Sequence, residues 1–122
     1  ILGATVYTVV MEGLRSVLDG YPDIAVLGEA CSGEEAVKAV EHLRPSIVVM
    51  DINMPQMDGI EATKRIKSRY PEVVVVGLSV NAGADTMGAM MNAGAAALIT
   101  KEAAVDQLYT AIQNSLRKSA DA

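Results

Sequence analysis

Short β-branched runs alternate along this chain with amphipathic stretches of helical spacing, and that alternation constrains the fold more than any other feature. Ile24–Leu27, Ser46–Met50 and Val73–Leu78 read as buried strands, because an unbroken apolar run of this length suits a sheet covered on both faces. The first strand, Ile1-Leu2-Gly3-Ala4-Thr5, is more weakly written, and Ala95–Thr100 reads as a short fifth. Between the strands, Val10, Leu14 and Val17 make one apolar helical face, Ala36, Val37, Val40 and Leu43 a second, and Ile60, Thr63 and Ile66 a third. A weaker helix covers Ala84–Asn92, and Val105, Leu108, Ile112 and Leu116 mark the last. Strand followed by helix, repeated along the chain, predicts an α/β fold with a parallel sheet and helices on both of its faces.

The punctuation agrees. Ser32-Gly33-Glu34-Glu35 is a capping box opening the second helix, and Asp58-Gly59-Ile60-Glu61 has the same form before the third. Pro22, Pro45 and Pro71 each stand just ahead of a strand, where a helix must already have ended. Gly94 closes the fourth helix, and the polar tail from Arg117 to Ala122 is expected to fray.

Composition excludes several classes. At 122 residues the chain is one domain, long enough to bury a core without staples. Its single cysteine, Cys31, forbids an internal disulfide and fits a reducing, cytoplasmic setting. No apolar run spans a membrane. The net charge of −5 argues against direct nucleic-acid contact, and with no Phe or Trp there is no aromatic platform for stacking bases. The start at Ile1 rather than Met points to a piece of a longer protein.

In an open parallel sheet ligands bind beyond the carboxyl ends of the strands. The third strand ends in Asp51, the fourth in Ser79 and the fifth runs into Lys101. Each has an ordinary reading alone: a loop cap, a turn serine, a solvated lysine. Together, at consecutive strand ends, they are an oxygen nucleophile, a hydroxyl and a cation suited to a phosphoryl group.

The segment Asp51-Ile52-Asn53-Met54-Pro55-Gln56-Met57-Asp58-Gly59 resembles the phosphoacceptor segment of response-regulator receiver domains. The likeness extends over most of the chain, through Met11-Glu12-Gly13-Leu14, Gly28-Glu29-Ala30, Leu43-Arg44-Pro45, Leu78-Ser79, Ala93-Gly94-Ala95 and Lys101-Glu102-Ala103. It is greatest to receivers that precede a LuxR-type helix-turn-helix output domain. The resemblance implies a doubly wound, flavodoxin-like (βα)5 sheet of order 2-1-3-4-5, a single receiver over residues 1–122, and a DNA-binding domain beyond its carboxyl end. Asp51 would accept a phosphoryl group from the phosphohistidine of a sensor histidine kinase, while Ser79 and Lys101 would bind its oxygens. The Asn53 carbonyl, with Asp51, would help hold Mg²⁺, and Pro55 and Gly59 would shape the loop.

Two positions depart from the family. Its paired acids at the end of the first strand, which hold Mg²⁺, fall here at Thr5 and Val6, followed by Tyr7. Mg²⁺ wants oxygen ligands, including one or two carboxylates, so the loss of both anchors is expected to slow phosphorylation greatly or abolish it. Glu12 is a poor substitute, lying one helical turn beyond Tyr7. The aromatic switch position is Leu98, which cannot swing a phenol between states.

Other signals are weaker. The Asp51–Ala62 stretch fails as a calcium loop, with Gln56 for glycine and Ala62 for glutamate. Gly83 and Gly88 are no dinucleotide fingerprint. Cys31 reads as an inert thiol and His42 as a surface residue. Met87, Met90 and Met91 cluster on the fourth helix; adjacent Met90 and Met91 cannot both face the sheet, which leaves an adaptable apolar face for self-association. The expected function is a non-enzymatic switch, phosphorylated at Asp51 and acting as a homodimer. The alternatives are a phosphorylation-independent interaction module and a small-ligand binder on the same fold.

Overall fold

The computed structural model describes residues 4–9, 21, 24–29, 32–51, 59–79 and 84–121. Five parallel strands, β1 (Ala4–Val9), β2 (Ile24–Glu29), β3 (Ile47–Asp51), β4 (Val74–Ser79) and β5 (Ala97–Thr100), form one sheet in the order β2-β1-β3-β4-β5. Four helices are described: α1 (Gly33–Leu43), α2 (Gly59–Arg69), α3 (Ala84–Ala93) and α4 (Lys101–Asp121). The helix expected around Val10, Leu14 and Val17 lies outside the described residues, as do Pro22 and Asp58.

Every residue of β3 and β4 is buried, which is why their sequences are apolar without alternation. Successive side chains feed two cores. On one face Val48, Met50 and Val75 pack with Ala36 and Val40 of α1, Ala62 and Ile66 of α2 and Met90 of α3. On the other, Ile47, Val49, Val74, Val76 and Leu78 pack with Leu108 and Ile112 of α4. A stacked pair, Tyr21 on Tyr109 with centroids 3.9 Å apart, lies beside that second core.

The first strand corrects the sequence reading. It is described over Ala4–Val9 and so continues past Thr5, where the sequence reading ended it, because Ala-Thr-Val-Tyr-Thr-Val is rich in β-branched and aromatic residues; residues 1–3 lie outside the described residues. β5 starts at Ala97 instead of Ala95, since the Ala95 N–H is spent on the Met90 carbonyl. Leu43, expected in the core, is 46% exposed: α1 ends there and Arg44, at φ 48, turns the chain toward β3. The tail expected to fray stays helical to Asp121.

Two helix ends show how the sequence sets the boundaries. Ser32 caps α1 by accepting the Glu35 N–H at 3.3 Å, and Glu34 and Glu35 complement the helix dipole. Ser32→Ala is expected to cost about 1 kcal/mol, read as a lower urea midpoint at unchanged slope. At the other end Arg44 pays the left-handed strain with three contacts. Its guanidinium lies 4.2 Å from the Tyr70 ring centroid, its Nε donates to the Glu41 carbonyl and its Nη1 is 4.0 Å from Glu72.

Candidate functional site at the carboxyl edge of the sheet

Asp51 is the last residue of β3 and Ser79 the last of β4, and each is only 4% exposed. Asp51 pairs with Leu78, so Ser79 stands one residue further along the neighbouring strand, roughly 6 Å away between Cα atoms. Ser79 in turn pairs with Thr100, the last residue of β5. The structure therefore brings the ends of β3, β4 and β5 to one edge.

Lys101 follows as the first residue of α4. The Thr100 hydroxyl accepts the Ala103 N–H at 3.1 Å, which makes Thr100 the cap and puts Lys101 in the first helical position. A cation there opposes the helix dipole, so local helix energetics do not explain a lysine at this position. Sequence reasoning missed the Thr100 cap, although a threonine directly before a helical run is the usual signal.

β1 contributes differently from the sequence expectation. Val6 pairs with Ile47 and Val9 with Met50. Thr5 and Val6 thus lie in the first half of the strand, and Val6 is about 13 Å along the sheet from the level of Asp51. The carboxyl end of β1 is Val9. Whichever of these residues is compared with the family, the donor chemistry is the same: the chain carries no Asp or Glu before Glu12. Among the described residues no group of three His, Cys, Asp or Glu could hold a metal. Among the described residues one carboxylate, Asp51, stands at this edge, fewer than the one or two carboxylates with further oxygens that Mg²⁺ takes. Asn53, Pro55, Glu12 and Cys31 lie outside the described residues, while Gly59 opens α2 and is buried.

The switch and interaction positions are clearer. Leu98 is 8% exposed and pairs with Gly77. A Cβ at Gly77 would meet Met90 Cε at 2.6 Å and Leu98 Cδ1 at 2.9 Å, so the bare glycine lets both side chains close over β4. This fixes Met90 in the core, fully buried, and removes it from the expected interaction face. Met87 and Met91 remain on the surface, 41% and 46% exposed. His42 is exposed. A separate cleft of about 430 Å³ lies against α1 and α2, lined by Val37, Lys64, Arg65, Ser68 and Arg69, none of them at the strand ends. No helix among the described residues is long and apolar enough to cross a membrane.

The five-stranded parallel sheet, with an aspartate and a serine ending adjacent strands and a lysine directly after the next, has the architecture of a receiver domain. The family model for the response regulator receiver domain matches residues 7–113, and the chain belongs to that family. It is 35% identical over 102 residues to the transcriptional regulatory protein DegU of Brevibacillus brevis, covering 84% of this chain and 43% of that protein. It is 49% identical over 89 residues to protein-glutamate methylesterase/protein-glutamine glutaminase 4 of Myxococcus xanthus, covering 72% of this chain and 25% of that protein. Among solved structures, a LuxR-family two-component response regulator from Aurantimonas superposes with a TM-score of 0.89 at 27% identity, covering 95% of this chain and 86% of that one. The chain spans less than half the length of these two curated relatives.

Proposed function

We propose that this chain is the receiver of a longer two-component transcriptional regulator in the cytoplasm, with Asp51 as its phosphoryl acceptor and an output helix-turn-helix domain outside it. The observation that carries this reading is the placement of Asp51 and Ser79 at the carboxyl ends of β3 and β4 and of Lys101 directly after β5. A carboxylate oxygen of Asp51 attacks the phosphorus of a kinase phosphohistidine. A P–O bond forms, the P–N bond breaks and the imidazole leaves with its electron pair. Lys101 and the Ser79 hydroxyl would meet the charge on the phosphoryl oxygens. The five-strand order with helices on both faces is the flavodoxin-like, doubly wound arrangement, which supports binding at this edge.

With one carboxylate at this edge among the described residues, and Thr5 and Val6 where the family has its acids, no step is assigned to a metal, and phosphorylation is expected to be slow. The same observation favours a second reading, in which the domain works by protein interaction without phosphate. Homodimerisation through the face of α3 that exposes Met87 and Met91 is compatible with both.

The deciding experiment is incubation with acetyl phosphate, followed by intact mass. An adduct of one phosphoryl group, absent in Asp51→Ala, is the expected result. No adduct, in a protein whose circular dichroism is unchanged, establishes the second reading instead.

A further inference from the structure

α2 carries four of the chain's 10 lysine and arginine residues, although the chain as a whole is acidic at −5. Lys67 is engaged by the Pro71 and Val73 carbonyls. The other three, Lys64, Arg65 and Arg69, line the cleft against α1 together with Ser68 and Val37. We propose that this cleft binds a small ligand carrying two or more linked phosphate groups, away from the carboxyl edge of the sheet and independently of Asp51.

Lys64 with Ser68, and Arg65 with Arg69, make two adjacent rows on one side of α2. Members of a row stand one helical turn apart, about 5–6 Å between Cβ atoms, so the two guanidiniums repel unless an anion lies between them. Each has an ordinary reading alone. Arg69, in the last turn, complements the helix dipole, and Arg65 is 3.9 Å from Glu61 in a pair more than half exposed on both sides, which is weak. Neither Lys64 nor Arg69 has an ion pair among the described residues. Glu34 and Glu41, on the Val37 side of α1, are exposed and form no ion pair with the three cations. Among the described residues no acid lines the cleft, so its charge is left for a ligand to balance.

The lining also sets the class of ligand. Each guanidinium is a planar fork that can hold two oxygens of one phosphate, Lys64 adds a point charge and the Ser68 hydroxyl a further donor. Three cations around one concavity call for a multivalent anion. A volume of about 430 Å³ falls within the ~300–1,000 Å³ of small-molecule sites and suits a compact ligand better than a duplex. Val37 is the one apolar side chain of the lining, and no aromatic is there for a base to stack on. Recognition therefore falls on the phosphates, whether free or at the end of a nucleotide.

Isothermal titration calorimetry of the purified chain with tripolyphosphate and with ATP, both free of divalent cations, tests the site and separates the two sources. Tripolyphosphate is expected to fill one saturable site with a Kd below about 1 mM at low salt, and the double variant Arg65→Gln, Arg69→Gln to weaken it at least ~10-fold. Tighter binding of ATP than of tripolyphosphate assigns the site to a nucleotide; equal or weaker binding assigns it to free polyphosphate. Arg117→Gln removes an exposed arginine from α4, controls for lost positive charge, and is expected to change the affinity by less than ~2-fold. The replaced side chains are all exposed, and thermal melts by circular dichroism establish that each variant folds. If the double variant does not, Lys64→Gln is read in its place.

Five results overturn the assignment: no saturable binding below about 1 mM, an affinity that the cleft variants leave unchanged, equal weakening by Arg117→Gln, citrate binding as tightly as tripolyphosphate, or binding lost in Lys101→Gln and kept in the cleft variants. Citrate binding of that strength would show charge attraction alone, and the Lys101 result would place the anion at the carboxyl edge. The acetyl phosphate adduct at Asp51 is read separately, so its absence counts against the phosphoacceptor reading alone and the calorimetry counts for or against the cleft.

Discussion

Leu108→Ala is expected to lower stability by about 3 kcal/mol and the melting temperature by roughly 10 °C. Leu108 is fully buried, on the face of α4 that meets the sheet, and packs in one cluster with Ile47, Val49, Val74, Val76, Leu78 and Ile112. Most of its neighbours are β-branched side chains on strands that are themselves held from the other face. They are poorly placed to collapse into the space, so the cavity term adds to the lost transfer energy. α4 is the one described helix in this second core, which makes Leu108 and Ile112 its main anchors. The effect should therefore reach the carboxyl edge, where α4 begins with Lys101. Leu43→Ala is the control. The same side chain is removed, but from a position 46% exposed, and the cost should stay below about 1 kcal/mol. Urea titrations of both variants measure the contrast. Equal losses would mean that α4 is not packed on the sheet as described.

How far the sequence disclosed this structure depends on the range of the interaction concerned. α1 was readable because its signals are local: Ser32 and Glu35 are three residues apart, and Ala36 and Val40 four. β3 and β4 were readable because burial on both faces leaves an apolar run that ends abruptly in Asp51 or Ser79, and those abrupt ends are also what exposed the candidate site. β1 was not, because a strand's register against its neighbours is set by the sheet. A short segment with several β-branched residues offers more than one frame, and the pairing with β3 settled on Ala4–Val9. That shift separates Thr5 and Val6 from Asp51. The contact of Met90 with Gly77 was equally hidden: a glycine inside a strand reads as a weakness until the side chain lying over it is known. Adjacent Met90 and Met91 could be told to differ, but the sequence did not say which one the sheet would take. Lys67 against Gly94 joins residues far apart in the chain, and no periodicity announces it.

That contact makes Gly94→Ala the second large effect, with an expected loss of about 3 kcal/mol. Gly94 closes α3 through a paired cap in which its own N–H donates to the Met91 carbonyl at 3.1 Å and the Ala95 N–H to the Met90 carbonyl at 3.0 Å. The turn requires φ +110, a backbone conformation that residues with a Cβ rarely adopt. The added Cβ would also stand 2.8 Å from Lys67 Cγ and 3.2 Å from Lys67 Cβ. Those atoms are the stem of the side chain rather than its free end. The far end is tied as well, since Lys67 Nζ donates to the Pro71 carbonyl at 2.7 Å and the Val73 carbonyl at 2.9 Å. Desolvation lowers the pKa of this amine, and the nearby Glu72 charge opposes the shift. Lys67 thus has little room to yield, and relieving the clash would mean giving up bonds that hold the turn before β4. The strain and the clash separate in a double-mutant cycle. With Lys67→Ala as background, Gly94→Ala should cost less, about 1–2 kcal/mol, because the 2.8 Å clash with Cγ is gone and the backbone strain remains with only the tight contact to Cβ. An equal cost in both backgrounds would show that Lys67 does not press on Gly94 and that the positive φ carries the whole effect. A cost below about 0.5 kcal/mol in wild type would remove the left-handed turn itself.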